Sequence, residues 1–424
     1  MSHRWLLVAL ALGLVYATIS PPGRVPDEAG HFWHSNGIAR GHFAPEHRRQ
    51  PDFVQLPVGM KTFFWVLGGE KDSLTWKQYR LARTVPHEPY SLVPTPTYPT
   101  HYTPVAYVPP VIAAVIARIL GLYPFTEFYL GRAINLIAAL ALFYAAMRVA
   151  PRHANVFLAV ALLPMALFEM ASWSPDAWTL GLGVLFTAFM LEPPEPTPRN
   201  IAAVAITALL LSLSKPAYFL LALLALFRPT PRRIGIAAIA ATAVGIPIAM
   251  SYASYAWYNA WKGYPIDPGE QLRCILAAPM RFASLLTRDL TGNGRRYIAE
   301  MIGRLGWINV FLPWAITAME VTLLAAVGLT AAPSLDWKRR VTSVVIVIGT
   351  VVGIVTSQYL TWTVICSDRI DGVQGRYFLP LLPVALMLFS LPAPRWRIGP
   401  KTIVAVSTIA NLFAFLAVMK RYYW

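Results

Sequence analysis

Along most of this chain the apolar residues do not alternate with polar ones at a helical or strand period. They run on. Predominantly apolar runs recur at 5–20, 128–149, 154–173, 177–191, 201–214, 216–228, 232–257, 312–332, 341–364, 377–391 and 402–419. A helix that is apolar on every side has no face to turn to water, and one of about 20 residues reaches across a hydrocarbon core of about 30 Å. The pattern predicts an all-α integral membrane protein with about eleven transmembrane helices. Pro164, Pro247 and Pro383 fall inside apolar runs and predict kinks rather than boundaries.

Two stretches break the pattern. Residues 21–127 mix aromatics with Pro94, Pro96, Pro99 and Pro104 and read as a long first outer loop. Within it, 105–121 is apolar but borderline in length. Residues 258–311 read as a second outer loop, with Thr291-Gly292-Asn293-Gly294 as a polar turn. No repeat or low-complexity tract divides the chain, so 1–424 reads as one polytopic membrane domain.

Basic residues then orient it. If 105–121 does not cross, Arg4, Arg148, Arg152, Arg199, Arg228, Arg232, Arg233, Lys338, Arg339, Arg340, Arg395, Arg397 and Lys401 all fall on the side of the N-terminus. If 105–121 crosses, every later loop flips and the bias reverses. The positive-inside rule therefore makes 105–121 an interfacial helix, with both long loops on the periplasmic face of a bacterial inner membrane. The same rule breaks 201–228 into a hairpin with Lys215 at its outer tip. The apolar run behind Arg4 reads as a retained signal anchor.

Composition agrees. Of 424 residues, 56% are hydrophobic and 13% charged, against about 25% charged in a soluble domain. A net charge of +16 would suggest nucleic acid in a soluble protein. Here the basic residues serve as membrane anchors, which removes the case for a nucleic-acid partner. Cys274 and Cys366 lack metal-ligand spacing. Both fall outside, where a disulfide persists and would tie the second loop to the segment carrying Asp371 and Arg376. Such a bond needs Cα atoms within about 7 Å.

Ionisable residues near a membrane interior are functional candidates. The outer face collects Asp27, Glu28 and His31 after the first run, Asp176 in Trp173-Ser174-Pro175-Asp176, Lys215, and Asp368, Asp371, Gln374 and Arg376 before the tenth run. Each has a plainer structural role. Asp27, Glu28 and Asp176 suit helix starts, Lys215 can snorkel, and Arg376 can anchor a span. Taken together, acids and bases on one face suit group transfer. A carboxylate can take the proton from an acceptor hydroxyl, while Arg and Lys hold a departing phosphate. Phe32, Trp33, Tyr90, Tyr98, Tyr102 and Tyr107 suit sugar faces. A divalent cation at the acids stays open.

These residues carry a resemblance. Pro26-Asp27-Glu28, followed by His31-Phe32, resembles the acidic signature in the first outer loop of the GT-C superfamily of membrane glycosyltransferases. Protein O-mannosyltransferases and the aminoarabinose transferases of lipid A have related motifs there. His101-Tyr102-Thr103-Pro104 looks like the segment that closes that loop, and Asp176 matches a second acidic position. Gly372-Val373-Gln374-Gly375-Arg376-Tyr377-Phe378-Leu379-Pro380 resembles a signature of a bacterial family of predicted membrane proteins thought to share the architecture. Thr103-Pro104 departs from the Pro-Pro of relatives, and no large soluble C-terminal domain follows.

The resemblance implies an inverting glycosyltransferase that moves a sugar from a polyprenyl-phosphate donor to a glycan or lipid-linked acceptor. Asp27 would be the general base, and Glu28 or Asp176 would orient the acceptor or bind a cation. Arg376 and Lys215 would bind the donor phosphate, with His31, Tyr102, Gln374 and Tyr377 lining the site. Two alternatives stay open. One is a surface-polysaccharide polymerase or ligase using a diphosphate-linked donor, and the other is a transporter of lipid-linked sugar. The topology has a direct test. A reporter cysteine near Arg152, in a background lacking Cys274 and Cys366, should resist an impermeant thiol reagent on intact cells; labelling there would invert the assignment.

Overall fold

Arg132, on the third helical turn of a long apolar helix, is completely buried, and the architecture of the first half of the chain is arranged around it. The computed structural model describes residues 2–43, 53–88, 90–96, 102–226, 230–256, 266–331, 335–392, 394 and 396–424.

Helix α1 (Leu6–Ile19) leads into the segment expected as the first outer loop, which holds α2 (Glu28–Ile38), β1 (Phe53–Pro57), α3 (Val58–Leu67), α4 (Trp76–Arg83), β2 (Leu92–Pro96) and α5 (Val108–Leu120). The two strands pair antiparallel, Phe53 opposite Pro96 and Pro57 opposite Leu92. There follow α6 (Pro124–Val149), α7 (Ala154–Ala161), α8 (Pro164–Met170), α9 (Asp176–Leu191), α10 (Pro198–Ser214), a 3₁₀ segment Pro216–Leu226 and α11 (Arg232–Ala256). The segment expected as the second outer loop holds α12 (Pro268–Ala277), α13 (Pro279–Gly303) and a hairpin of β3 (Arg304–Leu305) and β4 (Val310–Phe311). Last come α14 (Trp314–Leu329), α15 (Trp337–Thr361), a 3₁₀ turn Gly375–Leu381, α16 (Leu382–Met387) and α17 (Pro400–Tyr422).

Among the described residues, four helices are long and apolar enough to cross a bilayer: α6, α11 over Arg232–Ala253, α15 and α17. The pair Pro151–Ala161 and Pro164–Met170, bent by 81°, makes a fifth if it is one broken span. Pro164 has no N–H to continue the helical ladder, which is why the kink expected there falls where it does. α11 instead runs on through Pro247. Outward-facing Ile236, Val244, Ile248, Val345, Ile348, Leu412 and Leu416 are exposed, a density of apolar surface that suits lipid rather than water.

Two segments differ from the reading of the pattern, and a third, α5, is as short as a helix that does not cross would be. The polar stretch 291–294, expected as a turn, lies in the middle of α13. Thr291 Oγ1 donates to the Thr287 carbonyl at 2.8 Å and Asn293 Nδ2 to Asp289 Oδ1 at 2.8 Å, so the polar side chains satisfy themselves one turn back along a continuous helix. The run at 377–391 is helical only to Met387 and opens as a 3₁₀ turn. At 13 residues, α5 extends about 20 Å, short of a bilayer core; it packs on α2 and α6.

Cys274 on α12 and Cys366 after α15 are joined in a disulfide with Cα atoms 5.6 Å apart. A wholly buried ion pair links α2 to α6. Arg132 Nε and Nη2 donate to the two oxygens of Glu28 at 2.8 and 2.7 Å, and Arg132 Nη1 also donates to the Ala17 carbonyl at 2.8 Å. Removing one partner strands a buried charge, so Glu28→Gln should lower unfolding free energy by about 3–5 kcal/mol. Replacing both residues with Met should cost less. Denaturation in detergent checks this; a loss of about 1 kcal/mol, the worth of a surface pair, would contradict it.

Candidate functional site

Neighbours in sequence, Asp27 and Glu28 have separate surroundings. Asp27 caps α2 with φ 61° and ψ 9°, a left-handed conformation that aspartate tolerates better than most residues and that tends to mark functional positions. This twist sends Glu28 inward. Its carboxylate takes Arg132 and also the backbone N–H groups of Gly23, at 3.1 Å, and Trp173, at 3.3 Å. Glu28 is thereby committed to holding α1, α2, α6 and the 173 turn together. Half-buried Asp27 interacts electrostatically instead with Arg376, Tyr102 and Glu70. Burial, reinforced by the Asp27 charge, pushes the Glu70 carboxyl up to about 7.

The second half of the site is built on the starts and ends of helices. The Ser174 hydroxyl oxygen accepts the Asp176 N–H at 3.1 Å, turning the chain into α9. Lys215, in an extended conformation just after α10, forms an ion pair with Asp176. Arg376 Nε lies 3.6 Å from the other Asp176 oxygen, and Arg376 Nη1 donates to Glu169 Oε1 at 2.7 Å. The Lys215 ammonium also sits 5.0 Å from the Tyr102 ring and 4.8 Å from the Tyr377 ring, an aromatic cradle for a cation. Two cations and two carboxylates thus form one nearly buried cluster, with Asp27 within electrostatic range.

The segment that carries Arg376 is held by close approach. A Cβ at Gly375 would lie 2.0 Å from the Tyr297 carbonyl oxygen, so only glycine lets this segment press against α13. Its N–H donates to Glu300 Oε2 at 2.9 Å. Tyr218 donates to the Tyr377 carbonyl at 2.8 Å. Gln374 and Arg376 line a cleft beside Pro26.

The structure brings Asp27, Asp176, Lys215, Tyr102, Gln374, Arg376 and Tyr377 into one region. His31 stands just behind, its Nδ1 3.0 Å from the Tyr107 hydroxyl, and burial lowers its pKa well below the usual imidazole value. Asp371 instead pairs with Arg369 on the surface, 3.4 Å away. Phe32 and Trp33, expected as sugar-facing aromatics, are buried in an aromatic core with Phe63, Phe64, Phe128 and Trp173, and Tyr90 is almost fully exposed. His101 and Tyr98 lie outside the described residues. Glu169, Glu300 and Arg132 escaped the sequence reading, which weighed the outer-face ionisables. Glu169 and Arg132 had a signal: each is an ionisable residue inside an apolar run. Among the described residues no three His, Cys, Asp or Glu side chains converge as metal ligands would.

Such a site, at the ends of apolar helices, defines a membrane-embedded helical protein with a buried charge cluster. Residues 10–385 match the family model described as Predicted membrane protein (DUF2142), and the chain belongs to that family. No curated protein and no solved structure matches it.

His34, next to the site on α2, gives a pH-dependent consequence. It packs edge-on against the Tyr107 ring at 4.8 Å, and burial lowers its pKa from 6.5 to about 4. Between those values the unfolded chain binds a proton that the folded chain refuses, so this residue makes stability rise with pH across that window. Melting temperature should therefore fall more steeply on acidification in the native protein than in His34→Gln. Parallel curves would remove His34 from the account.

Proposed function

We propose that this protein is a GT-C-type inverting glycosyltransferase of about eleven spans in a bacterial inner membrane. It would transfer one sugar from a polyprenyl-phosphate carrier to a glycan or lipid-linked acceptor at the periplasmic face, with α5 lying along the interface. The observation that carries the reading is the cluster in which Lys215 and Arg376 share Asp176, with Asp27 within electrostatic range of Arg376. That set combines phosphate-binding cations and a carboxylate base. Neither cation is fully engaged in the way Arg132 is. Arg376 Nε makes no hydrogen bond, and Lys215 rests on two ring faces.

In the proposed reaction the acceptor hydroxyl gives its proton to Asp27 as its oxygen attacks the anomeric carbon. The bond from that carbon to the phosphate oxygen breaks on the opposite side. The departing phosphate gains negative charge and is held by Arg376 and Lys215, which act in a largely water-excluded site where such contacts are strong. Asp176 keeps the two cations aimed at the phosphate position. Glu28, spent on Arg132, fixes the turn that presents Asp27. Tyr102 and Tyr377 flank the Lys215 ammonium.

The test is turnover of a radiolabelled polyprenyl-phosphate sugar by purified protein. Asp27→Asn keeps the shape of the side chain but removes the base, and should slow transfer by about 10²–10⁴-fold while sparing folding and donor binding. Near-native turnover in Asp27→Asn would move the base elsewhere or end the glycosyltransferase reading.

A further inference from the structure

Glu169 on α8 is the one member of the charge cluster to which the proposed reaction gives no task. It is 1% exposed, and its Oε1 takes Arg376 Nη1 at 2.7 Å. Its Oε2 makes no hydrogen bond; the Ser174 hydroxyl is the carboxyl's other polar neighbour. Asp176 is better served, holding Lys215 directly and lying 3.6 Å from Arg376 Nε. The cluster thus balances two carboxylates against two cations. Around it Asp27 and Glu300 offset Arg296 and Arg304.

A phosphodiester entering this cluster adds one negative charge to a balanced set. An uncompensated charge at such depth is costly, and a buried group under that pressure neutralises instead. The phosphate also competes for the Arg376 guanidinium, whose planar fork suits it. When Arg376 turns to the phosphate, Asp176 keeps Lys215 and Glu169 loses its hydrogen-bonded cation. Glu169 is therefore the carboxyl that gives way. Of the elements packed on α8, α9 brings Asp176, the 3₁₀ turn Arg376, α13 Glu300 with Arg296, and β3 Arg304. α6 brings Arg132, already bound to Glu28. α1 and α17 bring the hydroxyls of Tyr16 and Tyr422, held by Asn411 and Asn309. Glu169 also lines the cleft beside Pro26, which opens to solvent and has room for about one water, enough to relay a proton.

We infer that Glu169 is a positioning residue that exchanges its ion pair with Arg376 for a proton when the donor phosphate binds. One proton comes from solvent, an O–H bond forms on the Glu169 carboxyl, and Arg376 passes to the phosphate. The proton returns to solvent when the carrier leaves. This rests on the proposed donor site and adds to it a coupling between phosphate and proton.

Binding of short-chain polyprenyl-phosphoryl hexoses to the full-length protein in nanodiscs tests it, because a phosphodiester keeps its single charge throughout the working pH range. Uptake of about one proton should make native affinity fall about tenfold for each unit rise in pH. Calorimetry in buffers of different ionisation enthalpy should count that proton, and an infrared difference spectrum should show a carboxylic acid formed on binding. Glu169→Gln presents a neutral side chain at every pH. Its affinity should be independent of pH and exceed that of the native protein at the alkaline end, with the carboxylic-acid band gone. Should Glu169→Gln fold poorly, Glu169→Asp should keep the proton uptake but move the band; an unmoved band would overturn the inference. So would donor binding with no proton uptake, or uptake without a carboxylic-acid band, which would pass the role to His31. A Glu169→Gln protein that binds more weakly at every pH with the native slope would reduce Glu169 to a structural contact. If the native protein binds no donor at any pH, the donor assignment falls and this inference with it; binding without proton uptake sinks this inference alone.

Discussion

The pair between Glu28 and Arg132 is the constraint on which the rest of the site depends. Both side chains are fully buried, in a setting where an uncompensated charge is among the costliest defects a fold can carry. The pair is tolerated because every remaining capacity is used. Arg132 also donates to the carbonyls of Ala17, Ser20 and Pro21, and Glu28 accepts from Gly23 and Trp173. The end of α1, the start of α2, the middle of α6 and the turn before α9 therefore meet at one point. Asp27 occupies its left-handed conformation at the edge of that point, and Asp176 follows Trp173 by three residues. Both carboxylates take their places from a contact in which neither takes part.

A second layer of charge depends on the first. Glu169, Arg376, Asp176 and Lys215 follow one another in space with alternating sign, drawn from α8, the segment before α16, α9 and the end of α10. Within a low-dielectric interior such groups interact far more strongly than at a surface. A ligand that brings its own charge or hydroxyls can substitute for one partner without leaving another stranded. The segment with Arg376 is pressed against α13 by Gly375 and fastened nearby by the bridge from Cys274 to Cys366. The proposed donor site thus has one wall on the membrane helices and another on α13.

Much of this was legible in the chain. Long apolar runs such as those of α11 and α15 read correctly because a lipid-facing helix needs no polar face, and Pro164 marked its own kink. Asp27, Asp176, Lys215 and Arg376 stood out as candidates because charge is scarce in such a protein and so conspicuous, and the fold brings them into one region. Other features were hidden for physical reasons. Asp27 and Glu28 are equivalent acids in sequence; only the backbone twist at Asp27 decides which is buried. Thr291-Gly292-Asn293-Gly294 has strong turn propensity, but side-chain bonds one turn back and the packing of Leu285 and Tyr297 offset the helix cost of two glycines, about 1 kcal/mol each. Glu169 lay inside an apolar run and was passed over. Glu300 became meaningful only through Gly375, a partner 75 residues away.

The central claim is that a lipid-linked phosphate sits between Lys215 and Arg376 with its sugar turned toward Asp27. A structure of the protein in nanodiscs with a non-transferable polyprenyl-phosphate sugar tests it most directly. The account predicts lipid density leading from the membrane to the phosphate, the phosphate within hydrogen-bond reach of Arg376 and Lys215, and the anomeric carbon facing the Asp27 carboxylate. Phosphate density at another site, with Arg376 still paired to Glu169 and Asp176 and the Asp27 region unoccupied, would contradict it.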